Sequence, residues 1–392
     1  MSKRLLILGS TGSIGTQALD IVSRSEELEV VGLSAASSWE TLVAQATEHD
    51  VKRIALADPV AAAQASEQWI DGEILTGAEG LIELVAESGA DLVLNALVGS
   101  AGLGPTVSAL AEGIDLALAN KESLVVGGEL VTALAEATGA RLIPVDSEHS
   151  AIHQLIGIEE TAGATAALRA GTVERLVLTA SGGPFRGRSA KQLKAVTVEE
   201  ALVHPTWSMG AKITIDSATM MNKGLELIEA HHLFGVPYER IDIVVHPQSI
   251  IHGMVSLCDG ATLAHMGYPD MRVPIAYALH YPDRVDVPVP VLDLAALGQL
   301  SFSAADTQAF PCLVLARGAA VAGGTAPCVL NAANEIAVHA FLERRLAFWE
   351  IAAVIEETLD ELGCSPVHSF DSLYDSDREA RRVAEEAVLA RA

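Results

Sequence analysis

KRLLILGSTGSIG, residues 3–15, reads as a short apolar strand that runs straight into a glycine turn. An amphipathic helix is expected directly after it, over 16–23. Strand, glycine turn and helix in that order form the setting in which glycines let the backbone approach a pyrophosphate. The helix N-terminus then supplies amide donors and the positive end of its dipole. The spacing here is G-x-x-G-x-x-G, with Gly9, Gly12 and Gly15, not the stricter G-x-G-x-x-G. A turn of this kind can also serve tight strand–helix packing alone; its position favours a nucleotide.

Working outward, further strand-like segments fall at 30–34, 53–58, 91–97, 116–120 and 141–145, with helical patterns between most of them. That alternation predicts a doubly wound, mainly parallel sheet of Rossmann type. An acid at the end of the second strand would bind the ribose 2′-hydroxyl of NAD. The chain has Ser34-Ala-Ala-Ser37-Ser38 there, which leans towards NADPH, although no Arg or Lys takes the place of the acid. Two later segments should end near the same crevice. One is Asn120-Lys121-Glu122; the other carries Asp146, Ser147 and Glu148. Asp146 and Glu148 point to one side if the chain is extended, and would repel each other without a cation between them. A solvated strand end with two unrelated acids fits equally well.

The middle of the chain concentrates the remaining chemistry. After a helical segment, a strand over 175–180 ends in Ser181-Gly-Gly-Pro, which can form an anion-binding nest or a plain turn. The stretch HPTWSMGAKITIDSATMMNKGLELIEAHHLF covers 204–234. It reads as a loop with His204, Trp207, Met209 and Gly210, a short strand at 212–215, and a helix opening at Asn222 and Lys223. Asp216-Ser217 is the expected N-cap between them, leaving Ser217 to cap a helix, bind phosphate, or do both. Glu226 shares a helical face with Asn222 and Lys223. The loop near 204–210 has the make-up of a lid, with a tryptophan anchoring it to the core as the plainer reading. The three acids Asp146, Glu148 and Glu226 offer only oxygen, which suits Mg2+ or Mn2+. His149, His153, His231 and His232 lack H-E-x-x-H spacing and read as packing or surface residues, which argues against zinc.

Composition sets the outer limits. The 392 residues are half apolar and carry a formal net charge of −26, so a folded protein is expected and a polyanionic nucleic-acid partner is disfavoured. Cys258, Cys312, Cys328 and Cys364 form no C-x-x-C pair, and reduced thiols in the cytoplasm are expected. No apolar run reaches the ~18 residues of a membrane helix, and the N-terminal apolar run is too short for a signal peptide.

Taken in order, GSTGSIG, ALANKESLV, PVDSEHSAI, LTASGGPF, HPTWSMG, DSATMMNKGLE, HPQSIIHGMV and LNAANEIAV resemble the 1-deoxy-D-xylulose 5-phosphate reductoisomerase family over about 6–341. The resemblance implies NADPH- and metal-dependent rearrangement and reduction of 1-deoxy-D-xylulose 5-phosphate to 2-C-methyl-D-erythritol 4-phosphate in isoprenoid precursor synthesis. It implies a cation (Mg2+ or Mn2+, with Co2+ a further candidate) on Asp146, Glu148 and Glu226. It puts the substrate phosphate on Ser181, Ser217, Asn222 and Lys223. Lys121 and Ser147 fall at substrate-contacting positions with Glu122 beside them, and Glu148, His204 and Trp207 join the catalytic set. Gly9, Thr11, Gly12, Ser13 and Ile14 fall on the cofactor's pyrophosphate loop. Asn120, Lys121, Glu122, Met209 and Gly210 border the cofactor, and Ser37 and Ser38 lie near its 2′-phosphate. Many family members have a basic residue and an Asn where this chain has those two serines. A homodimer is implied as well.

The expected division is a cofactor domain over 1–149, a catalytic α/β domain over 150–281, a connector over 282–311 and a helical bundle over 312–392. The bundle helices are predicted at 312–321, 329–342, 348–362 and 371–389, the last with Asp371 as N-cap. Two rival readings use the same first domain. A semialdehyde-type dehydrogenase would need a nucleophilic cysteine, and none of the four lies near 117–124, 144–150 or 204–226. A nucleotide sensor would leave the three acids and Lys223 without a role.

Overall fold

The computed structural model describes residues 2–157 and 171–391. By contact, these group into two units. The first comprises Met1–Ser123, Val131–Ser150 and Asp270–Val289, and the second comprises Leu124–Leu130, Ala151–Pro269 and Pro290–Ala392.

The first unit is built on seven parallel strands: β1 (Lys3–Leu8), β2 (Leu28–Ala35), β3 (Arg53–Leu56), β4 (Glu73–Thr76), β5 (Leu92–Asn95), β6 (Asp115–Leu118) and β7 (Leu142–Pro144). Their order across the sheet is β4-β3-β2-β1-β5-β6-β7. Pairing is parallel throughout, so every connection is a crossover and both faces are covered; Leu5, Leu6, Ile7 and Leu8 are accordingly all buried. β4 is the strand that the sequence pattern does not announce, because Glu-Ile-Leu-Thr is short and lies at an edge. The order reverses between β1 and β5, the position at which open α/β sheets bind their ligands.

The glycine turn sits at that reversal. Gly9 has φ +80°, and a Cβ there would lie 2.7 Å from the Ala96 carbonyl oxygen beyond β5. At Gly15 a Cβ would meet Gly9 O at 2.3 Å, so the Ser13–Val22 helix can leave the turn closely packed only with glycine there.

Residues 270–289 return to this unit instead of closing the second. The Arg272–His280 helix packs against Ser13–Val22 and β7, with Lys3 Nζ donating to Leu279 O at 2.9 Å and Ser25 Oγ 3.1 Å from His280 Nε2. This grouping differs from a continuous 150–281 segment, because the apolar side of that helix (Ile275, Ala276, Ala278, Leu279) belongs to the first core.

The second unit has a mixed sheet of β8 (Val173–Ala180), β9 (Ile241–Val245), β10 (Ile251–Leu257), β11 (Thr262–Met266) and β12 (Ser303–Ala304), ordered β11-β10-β8-β9-β12. The segment expected to be helical ahead of β8 starts as Ser147–Gly157, and its continuation over 158–170 lies outside the described residues. The Met221–Phe234 helix packs on β8 and β9. Gly224 lets the Cys312–Ala322 helix come close, since a Cβ there would lie 2.4 Å from the Ala316 methyl.

The four C-terminal helices are Cys312–Ala322, Ala326–Leu342, Ile351–Leu362 and Phe370–Leu389. They share one hydrophobic cluster with the mixed sheet and so do not stand as a separate unit. Ser369, not Asp371, caps the last helix: its side chain accepts from Ser372 N. The serine stands one place before the first helical residue, where a side-chain oxygen reaches the exposed amides.

Residues 212–215 are helical and not a strand. Lys-Ile-Thr-Ile has the β-branched make-up of a strand but lies within the Ala211–Thr219 helix, which buries Ile215 and Ala218 on one side. Ser217 is therefore a last-turn residue and not an N-cap.

Phe185 is among the largest fully buried side chains of the second unit and meets Phe348 edge to face at 5.1 Å. Phe185→Ala should lower the unfolding free energy by about 3–5 kcal/mol in urea titrations.

Candidate active site

In the first unit, the turn after β6 carries Asn120, Lys121 and Glu122, all buried. Asn120 Nδ2 donates to Leu97 O and Gly99 O at 2.9 Å and to Glu122 Oε2 at 3.1 Å, while its Oδ1 accepts from Ser123 N. The amide thereby fixes the turn and leaves Lys121 to reach Asp146, its Nζ donating to Asp146 Oδ2 at 2.5 Å. Asp146 follows β7 and Ser147 opens the next helix. Glu148 N approaches Asp146 Oδ1 at 3.4 Å, and the Ser147 hydroxyl donates to Glu148 Oε2 at 2.5 Å. Ser147 and Glu148 thus lie in the first turn of a helix, not on an extended chain. What keeps the two carboxylates in place is the cation and the hydroxyl that they accept from.

His149 is fully buried, and its Nδ1 lies 3.1 Å from Asp146 Oδ1. Reading it as a packing or surface residue missed this contact. The i, i+3 spacing from Asp146 was the available signal, hidden because Asp146 was placed on a strand.

The second unit holds the other set. Met220, at φ +62°, ends the Ala211–Thr219 helix and starts Met221–Phe234. That turn sets Asn222 and Lys223 at the N-terminal end of the new helix and Ser217 at the C-terminal end of the old one. Lys223 and Glu226 are both buried: Lys223 Nζ donates to Glu226 Oε2 and Asn222 Nδ2 to Glu226 Oε1, each at 2.5 Å. Gly182 and Gly183, with φ +84° and +64°, turn the chain after β8. A Cβ on Gly183 would lie 2.7 Å from Ser217 O, so this glycine brings the Ser181 turn against the Ser217 turn.

His204 ties the loop to that turn. Its Nδ1 accepts from Thr206 N at 3.1 Å and Trp207 N at 2.8 Å, so its proton is on Nε2, which donates to Ser181 Oγ at 2.9 Å. Ser181 Oγ also accepts from Gly183 N at 3.2 Å, leaving the hydroxyl proton to be offered elsewhere. Burial, and then the nearby Lys223 ammonium, push the His204 pKa down to about 4, in keeping with a neutral ring. Trp207 is half-buried, and its ring lies 6.1 Å from that of His252, a buried residue in the HPQSIIHG segment given no role from sequence. Met209 is half-buried and Gly210 exposed, where the loop meets the Ala211–Thr219 helix.

His231 ends its helix by approaching Val236 O at 2.8 Å, and burial pushes the His232 pKa down to about 4, so packing accounts for both.

At the cofactor turn, the Ser13–Val22 helix has Gly12 as N-cap with no side-chain cap bond, and first-turn amides not capped in this way suit a pyrophosphate. Ser37 and Ser38 are exposed at the end of β2. Asp146 and Glu148 in the first unit, and Glu226 in the second, each offer carboxylate oxygen, the donor type that a hard cation takes. Both groups fit.

Three family models match the chain. The 1-deoxy-D-xylulose 5-phosphate reductoisomerase model covers 5–128, its C-terminal domain model covers 142–234, and the DXP reductoisomerase C-terminal domain model covers 266–383. The reductoisomerase of Desulfitobacterium hafniense is 49% identical over 389 residues, spanning 98% of this chain and 99% of its own. That of Chlorobium chlorochromatii is 50% identical over 385 residues, spanning 97% and 98%. Among solved structures, the Zymomonas mobilis enzyme in complex with NADPH superposes with a TM-score of 0.89 at 42% identity, covering 99% of both chains. A DOX-P reductoisomerase in complex with NADPH, fosmidomycin and magnesium gives 0.93 at 42%, covering 98% of both. With family models along most of its length and relatives at half identity end to end, this chain belongs to the 1-deoxy-D-xylulose 5-phosphate reductoisomerase family.

Proposed function

We propose that this protein catalyses the NADPH- and divalent-cation-dependent rearrangement and reduction of 1-deoxy-D-xylulose 5-phosphate to 2-C-methyl-D-erythritol 4-phosphate, a step in isoprenoid precursor synthesis. The observation that supports this reading is the polar cluster in the second unit. A buried ammonium (Lys223) and an amide (Asn222) begin one helix, and Gly183 presses the Ser181 turn against Ser217.

Ser181, Ser217, Asn222 and Lys223 hold the substrate phosphate. Ser181 is prepared for this because His204 Nε2 and Gly183 N use its acceptor capacity and turn its proton outward. Binding at the phosphate orients the reacting end of the substrate. Asp146, Glu148 and Glu226 hold the cation, and the Lys121 and Ser147 side chains meet the substrate oxygens with Glu122 beside them. His204, Trp207 and Met209 form the cover that excludes water. Gly9, Thr11, Gly12, Ser13 and Ile14 cradle the pyrophosphate, Ser37 and Ser38 lie by the 2′-phosphate, and Asn120, Lys121, Glu122, Met209 and Gly210 border the cofactor. When bound, NADPH supplies the hydride and Mg2+ or Mn2+ supplies Lewis acidity.

Among the described residues, no helix is long and apolar enough to cross a membrane. All four cysteines are free, which suits the cytoplasm. A homodimer, as in the family, is part of the same proposal and is tested by light scattering on the eluting protein.

Loss of NADPH absorbance with 1-deoxy-D-xylulose 5-phosphate and Mg2+ is the direct assay, and exhaustive chelation should abolish it. Turnover that survives chelation would remove the role assigned to the three acids. Glu148→Gln should lower kcat/KM by about a hundredfold or more with little change in stability, since Glu148 is only half-buried. Glu226→Gln should lower both activity and stability, because it leaves Lys223 buried without its carboxylate.

His204 sets a pH signature. Its folded pKa of about 4 lies below the ordinary 6.5, so the unfolded chain binds the proton first and stability falls as pH drops from 6.5 towards 4. In urea titrations over that window, His204→Asn should show a shallower fall than the native protein.

A further inference from the structure

Asp216 precedes Ser217 in the Ala211–Thr219 helix and is almost wholly buried, at 1% exposure. Two groups meet its carboxylate. Lys212 Nζ lies 2.9 Å from Oδ2 one turn earlier, and Asn334 Nδ2 donates to Oδ1 at 2.8 Å from the Ala326–Leu342 helix, 118 positions along the chain. Asn334 is itself fully buried, and its Oδ1 accepts no hydrogen bond. An apolar side chain at 334 would avoid burying that unpaired carbonyl, and one at 216 would avoid burying a carboxylate. The arrangement is therefore costly for stability.

The link does fix a direction. The Ala211–Thr219 helix is short and ends at left-handed Met220, so its own length holds it weakly. Ile215 and Ala218 seat it by non-directional apolar contact. The Asp216–Asn334 bond adds a directional contact to the bundle, at the residue adjoining Ser217.

We propose that Asp216, held by Asn334 and Lys212, is a positioning residue that aims Ser217 at the substrate phosphate, so that the C-terminal helices set the geometry of the phosphate site. This rests on the assignment of Ser217 to the phosphate.

The test compares KM and kcat for 1-deoxy-D-xylulose 5-phosphate, KM for NADPH and melting temperature in four variants of the full chain. Asn334→Asp opposes two carboxylates and should raise the substrate KM about tenfold or more, with kcat and the NADPH KM changed by less than about threefold. The double variant Asn334→Asp/Asp216→Asn restores an amide–carboxylate bond and should bring the substrate KM most of the way back. Asn334→Ala, which removes the bond without the repulsion, should raise KM in the same sense and serves where Asn334→Asp does not fold. Lower melting temperatures with a native substrate KM would overturn the proposal and leave a merely structural link. Ser217→Ala separates the two levels. A raised KM in Ser217→Ala with none in the Asn334 variants overturns this inference alone. A native KM in Ser217→Ala overturns the phosphate assignment of Ser217 and this inference with it.

Discussion

The Lys223–Glu226 pair is the constraint to which the second unit answers. Both side chains lie inside a helix whose neighbours Leu225, Leu227 and Ile228 are fully buried, so an ion pair runs through a hydrophobic cluster. Taking two charges from water costs several kcal/mol each, and their attraction offsets this only with close contacts and further hydrogen bonds. Asn222 supplies one such bond to Glu226. Helix spacing brings the pair together, since positions three and four apart share a face. A cation held this way cannot drift to solvent. The first unit repeats the device with Lys121 on Asp146, where the buried cation and the carboxylate come from the ends of adjacent strands β6 and β7.

Close backbone approach is the second theme. Gly9 and Gly15 let β1, β5 and the first helix meet without a side chain between them, and Gly183 does the same for the Ser181 and Ser217 turns. In each case a Cβ would collide with the backbone opposite, so glycine is what permits the approach. His204 then converts one of those turns into an oriented donor. Its two nitrogens have opposite duties: one gathers the amides of its own loop, and the other sets the Ser181 hydroxyl. A neutral ring is required for both, which is what burial beside Lys223 produces.

Local pattern carried much of the reading. Strand, glycine turn and helix at 3–22, the crossovers that follow and the C-terminal helices all depend on nearest neighbours in the chain, and they appear close to where they were expected. Two of the failures share one cause. Residues 212–215 look like a strand because Ile213, Thr214 and Ile215 favour one, and packing of Ile215 and Ala218 overrides that preference. The Arg272–His280 helix follows the second sheet in sequence yet joins the first core, which no local pattern reports.

The sequence by itself determined the parallel sheet, the residue types of the two polar clusters and, through ordered motifs, the family. These follow from periodicity and from short-range spacing, which the covalent chain imposes directly. Tertiary structure alone decided which polar groups lose water and whom they then meet. It buried His149 against Asp146, set the His204 proton towards Ser181, and joined Asp216 to an asparagine more than a hundred residues away. Burial and hydrogen-bond partnership are properties of the assembled core, where a polar group deprived of water must find a partner, and that partner has no fixed distance along the chain.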